Sequence, residues 1–108
     1  MSFVYEVNLE VKAHRTQEFH AWLTPHIEEM LTFRGFIAAT WYVRNPQDEG
    51  LQTAGTLWTI HYTLSGPEDF QNYLDTHASR MRADGMALFG DEFKASRRLL
   101  HNHKTFTR

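Results

Sequence analysis

Two histidines occupy matching places in two similar stretches of this chain. Phe19-His20-Ala21-Trp22-Leu23-Thr24-Pro25-His26 and Phe70-Gln71-Asn72-Tyr73-Leu74-Asp75-Thr76-His77 share the form Phe-x-x-aromatic-Leu-x-x-His. Imidazole is the side chain whose proton moves near neutral pH, and it is the commonest metal ligand. Each histidine falls seven residues after a phenylalanine, on an apolar stripe at helical spacing. With both stripes facing one sheet, His26 and His77 converge between helices and sheet, and Trp22 and Tyr73 line the same space. Two roles fit such a pair. They are core histidines hydrogen-bonded near a helix break, as buried polar groups normally are, or they line a ligand pocket and move protons. Trp41 and Trp58 extend the aromatic set, which reads either as plain core or as the wall of a pocket for a small apolar or aromatic ligand.

A second set is polar. Glu6, Asn8 and His61 fall on the polar side of two alternating segments, and Arg97 or Arg98 comes within reach from the last one. A Glu–His–Arg set can bind an anion or shuttle protons. The alternative is that these groups pair across a dimer interface and fix its register, because buried charges need partners. His101-Asn102-His103 has the form of a metal half-site, but it sits in a tail with no carboxylate nearby in sequence and reads as solvated. Neither a metal nor a cofactor is assigned. Arg80, Arg82, Arg97 and Arg98 are interrupted by Asp84, Asp91 and Glu92, a pattern that reads as a salt-paired surface.

The elements that must position these groups follow from periodicity. Phe3 to Val11 alternates with period two, the mark of a half-buried strand. Thr16 stands where an N-cap belongs, and Phe19, Trp22, Leu23, Ile27, Met30 and Leu31 follow at helical spacing. Pro25 inside that pattern predicts a kink or a restart capped by Thr24, and Gly35 ends the helix. Phe36 to Arg44 is strand-like, and Asn45 to Gly55 is a polar connection expected to be mobile. Thr56 to Leu64 alternates again, with Trp58, Ile60, Tyr62 and Leu64 on one face. Ser65-Gly66-Pro67-Glu68 has the form of a capping box. It opens a helix through Phe70, Tyr73, His77 and Met81 that continues to Gly90, with a break expected near Gly85. Glu92 to Leu100 supplies a last strand. The order β-α-β-β-α-β predicts an α+β ferredoxin-like domain, a four-stranded antiparallel sheet with two helices on one face. Residues 1–102 form that single domain, and 103–108 a polar tail.

Composition bounds the function. The chain has 108 residues, 42% hydrophobic and 14% aromatic, enough for one core without staples. It has no cysteine, which excludes disulfides, thiolate metal sites and cysteine nucleophiles. A formal charge of −2 argues against nucleic acid as a partner. No apolar run approaches the ~18 residues of a membrane span, and the start has no signal-peptide pattern, so the chain reads as soluble and cytoplasmic.

From Tyr73 onward the sequence is more specific. Tyr73-Leu74-x-x-His77-Ala78, Arg82, Leu88-Phe89-Gly90-Asp91-x-Phe93 and Arg97-Arg98-x-Leu100 resemble the uncharacterised bacterial family called domain of unknown function 4286. Val4-Tyr5-x-Val7-x-Leu9-x-Val11 and His26-Ile27-x-x-Met30-Leu31 fit it too, so the resemblance spans nearly the whole chain. It implies a dimeric α/β-barrel, two ferredoxin-like protomers packed sheet against sheet with helices outside. It implies no reaction. Three functions remain in competition. The first is a homodimeric small-molecule binder with a pocket between helices and sheet. The second is an enzyme like the cofactor-free or haem-degrading monooxygenases, with Asn8, Tyr73 and His77 as its loose echo. The third is a non-catalytic scaffold or regulatory dimer.

Overall fold

The computed structural model describes residues 3–108. Seven main elements follow in chain order: β1 (Phe3–Val11), α1 (Thr16–Met30), β2 (Phe36–Arg44), β3 (Thr56–Leu64), α2 (Pro67–Thr76), α3 (Ala78–Phe89) and β4 (Phe93–His101). The strands form one antiparallel sheet in the order β2-β3-β1-β4, the ferredoxin-like arrangement, with β1 and β3 in its centre.

Register assigns every side chain of the two central strands to a face. Tyr5 lies opposite Tyr62, Glu6 opposite His61, and Asn8 opposite Thr59. Because strand side chains alternate, Tyr5, Leu9, Ile60 and Tyr62 fall beneath the helices while Glu6, Asn8, Thr59 and His61 share the other face. The core forms on the helix side. Phe19, Leu23 and Met30 of α1 meet Met81 and Phe89 of α3, and Val11 and Leu64 are fully enclosed. Phe19 packs its ring 4.5 Å from Phe89 and 5.1 Å from Phe93, tying both helices to the last strand.

Several local expectations are corrected. Helix α1 runs unbroken through Pro25. Pro25 and Ala21 both lie on the exposed side, so water can take the bond of the carbonyl that proline leaves without a donor. Thr16 does not cap α1. A 3-10 turn, Ala13–Arg15, leads straight into the helix, and the Thr16 hydroxyl instead meets that of Thr56 at 2.7 Å. Ser65 makes no capping box. Pro67 takes the first helical position it favours, which moves the cap to Gly66. The Ser65 hydroxyl then donates to Asp69 Oδ2 at 2.5 Å. The second helical stretch breaks at His77 rather than Gly85, giving three helices instead of two. The first part of the 45–55 connection carries local structure: Asn45 caps a 3-10 turn over Pro46–Glu49, and Arg44 forms a two-pronged ion pair with Glu49 at 2.8 and 2.5 Å. Strand β4 is displaced one residue, ending at His101.

Gly35 joins α1 to β2 at φ +81°, where L side chains are strained, and a Cβ there would overlap the Asp69 carboxyl group. Its carbonyl also accepts from the Ser65 amide at 2.9 Å. Gly35→Ala should therefore destabilise the fold by more than about 2 kcal/mol. Urea unfolding measures this; a loss below half that figure would mean the junction relaxes freely.

Candidate functional site

A small cavity of about 50 Å³ remains between α1, α3 and the sheet. Its inner wall is apolar, with Phe19, Leu23, Met30, Ile60 and Met81. Three phenols, Tyr5, Tyr62 and Tyr73, line it as well. The exposed arginines Arg82 and Arg97, with half-buried Trp22 and His26, form its mouth. The Trp22 indole packs close to Gly85 of α3. An added Cβ at Gly85 would stand 3.1 Å from the indole edge. The indole stacks on His26 at 4.4 Å.

Titration behaviour follows from this burial. Burial pushes the Tyr73 phenol up to about 12, aided by Tyr5 and opposed by the charges of Arg82 and Arg97. It raises Tyr62 further still. Both phenols are therefore neutral donors at physiological pH. Burial lowers the His26 pKa, against the pull of Glu29 and Asp84, so its ring is neutral there too.

The expected convergence of His26 and His77 does not occur. His77 does not line the cavity; it stacks flat on Phe33, ring centroids 3.8 Å apart. The cause is the backbone, which leaves α2 at Thr76 and turns at His77 to start α3. Trp22 and Tyr73 reach the cavity as expected, whereas Trp41 and Trp58 pack on each other at 4.9 Å away from it. Arg82 and Arg97 were expected on a salt-paired surface and line the cavity instead. The alternation of β4 held the clue for Arg97, because Arg98 on the polar face puts its neighbour beneath the helices.

On the opposite face, the polar residues nominated from sequence form one network. Glu6 is 4% exposed. His61 Nε2 lies 2.8 Å from its Oε1, and Asn8 donates to Oε2 at 2.9 Å. Arg98 Nε also donates to Oε2, and Thr59 donates to Asn8 Oδ1 at 2.6 Å. These groups are satisfied within one chain, so the expected pairing across an interface is not needed to account for them. Burial alone would raise the Glu6 carboxyl. The hydrogen bonds from Arg98, Asn8 and His61 outweigh it and hold the pKa at about 2, below an ordinary 4.5. Elsewhere, His101 stacks on Phe3 at 5.6 Å and His103 lies in the exposed tail. Among the described residues no group of three or more His, Asp or Glu side chains could hold a metal ion, and no helix is long and apolar enough to cross a membrane.

A family model described as Domain of unknown function (DUF4286) matches residues 2–103. The chain belongs to that family. No curated protein matches this DUF4286 chain. Among solved structures, it is similar to SnoaB from Streptomyces nogalater, a cofactor-independent oxygenase, at 13% identity over 100% of both chains and a TM-score of 0.70. A hydroxynitrile lyase from Passiflora edulis is 10% identical over 95% of this chain and 97% of its own, TM-score 0.63. A dimeric ferredoxin-like protein from an uncultured marine organism is 13% identical over 95% and 98%, TM-score 0.56. At such identities the likeness shows the fold alone.

The Glu6 network predicts a pH dependence. A carboxyl whose folded pKa is depressed contributes stability that is whole above its unfolded value and is lost as pH falls toward the folded one. From pH 4.5 down to about 2 this DUF4286 protein should lose on the order of 2 kcal/mol through Glu6, the lower end because the Arg98 side chain is 66% exposed. Denaturant titrations of wild type and Glu6→Gln over that range test it. The variant should show a visibly shallower fall, and parallel curves would refute the assignment.

Proposed function

We propose that this protein is a homodimer that binds a small molecule between its helices and its sheet. The observation that carries the reading is the cavity itself. In a core otherwise filled by interlocking rings, one space stays open, ringed by phenols, an imidazole and an indole and reaching solvent. Binding pockets combine an apolar wall with a few convergent polar groups in this way. The volume of about 50 Å³ admits only a small ligand or one end of a larger one, unless Trp22 swings aside. It falls well short of the few hundred cubic ångströms common for drug-sized ligands.

Dimerisation is supported by the open sheet face. Tyr42, 47% exposed, packs beside His61, and Leu100 is exposed on the same side, so apolar surface borders the Glu6 network. A sheet with one face uncovered gains by covering it.

The oxygenase-like constellation is not supported, because its three members are dispersed. Asn8 is bonded to Glu6 and Thr59 on the open face, Tyr73 lines the cavity, and His77 stacks on Phe33.

Two measurements test the proposal. Light scattering at micromolar concentration should give the mass of two 12.7 kDa chains, falling toward one for Tyr42→Glu; a monomeric wild type would remove the dimer. Titration with benzyl alcohol should shift the Trp22 indole N–H resonance in wild type. Gly85→Ala should largely abolish that shift, because Gly85 lines the cavity and the added methyl takes up space there against the indole, while circular dichroism stays unchanged. A silent wild-type indole, or an equal response in the variant, would remove the pocket.

A further inference from the structure

Two arginines are the only fully charged side chains among the residues that line the cavity. Arg82 and Arg97 line the cavity, and no aspartate or glutamate does. Two acids stand nearby on α1 and α3 and act on His26, and Arg80 holds both away from the lining: its guanidinium donates to Glu29 at 2.6 Å and to Asp84 at 3.4 Å. On β4 the neighbouring Arg98 is bound to Glu6 across the other face. The Arg97 side chain has no hydrogen-bond or ion-pair partner among the described residues, and the Arg82 guanidinium donates to the Tyr5 phenol oxygen at 3.2 Å.

We propose that the cavity binds a small carboxylic acid as its anion, with the carboxylate between the Arg82 and Arg97 guanidiniums and the hydrocarbon part turned into the aromatic interior. The inference rests on the small-molecule reading above and adds the charge and size of the ligand. Its chemistry is direct. The planar guanidinium fork matches a carboxylate with paired N–H donors. Both arginines line the same cavity as the Tyr73 phenol. An anion at the mouth would supply the partner that Arg97 lacks.

Size narrows the class. Cavities near 150 Å³ accept benzene, and this one holds about a third of that. The enclosed part therefore takes a short aliphatic chain, or the edge of a single ring, with the carboxylate outside it at the mouth.

The experiment compares acids with their uncharged twins. Butyrate and benzoate are titrated alongside butyramide and benzamide, with Kd read from the Trp22 indole N–H and backbone amide resonances. Each acid should bind at least about tenfold more tightly than its amide. Arg97→Gln should erase that ratio while leaving amide binding in place. Arg97 is exposed, so the variant is expected to fold, and an unchanged amide spectrum confirms that it has. Lys104→Gln, which removes the same charge from the tail, should leave the ratio intact. Equal affinities for acid and amide in wild type would overturn the anion inference and leave the pocket standing. A ratio lost equally in Lys104→Gln would overturn it too, as a general charge effect. No response to any probe at high millimolar concentration would remove the pocket and this inference together.

Discussion

The pairing of β1 with β3 is the constraint from which the rest of this structure follows. Tyr5 against Tyr62 and Glu6 against His61 are neighbouring rungs of one ladder. A slip of a single residue would carry every side chain of a strand to the wrong face. Tyr5 and Glu6 would change places, putting a carboxylate among Phe70, Tyr62 and Tyr73 and a phenol on the open face. Burying that charge without its Arg98, Asn8 and His61 partners is prohibitive. The aromatic interior and the polar network thus enforce the same register from opposite sides.

That register also divides the basic residues of β4 between two settings. Arg98 reaches Glu6 and completes a network in which the carboxylate is covered by its own ligands. Arg97, one residue away, is turned beneath the helices to the cavity mouth. One arginine is spent on structure while the other keeps its donors open. The contrast is why the two faces of a single sheet differ so much in character: a closed, satisfied polar cluster on one, and an incompletely matched pocket on the other.

The two halves of the chain begin alike and end differently. His26 stays within a continuous helix and stacks on Trp22 at the pocket, whereas His77 sits at a helix break and stacks on Phe33. The break lets α3 set out on its own path, and that path brings Gly85 against Trp22 and Arg82 to the cavity. The likeness to solved structures at 10–13% identity is one of fold, and such local placements lie below what it describes.

The sequence by itself determined the strands, their faces and the polar network. Alternation over Phe3–Val11 and Thr56–Leu64 is a local property of neighbouring residues, and it already separates Glu6, Asn8 and His61 from Tyr5, Ile60 and Tyr62. It also placed Trp22 and Tyr73 toward the interior. Tertiary structure alone decided where the second helix breaks, that α1 passes through Pro25, and that Arg82 and Arg97 meet at one opening. Those outcomes depend on packing between segments distant in sequence, such as Gly85 against Trp22, and on which carboxylates Arg80 reaches first. Periodicity reports which way a residue points from its own backbone; it carries no information about what another element brings to meet it.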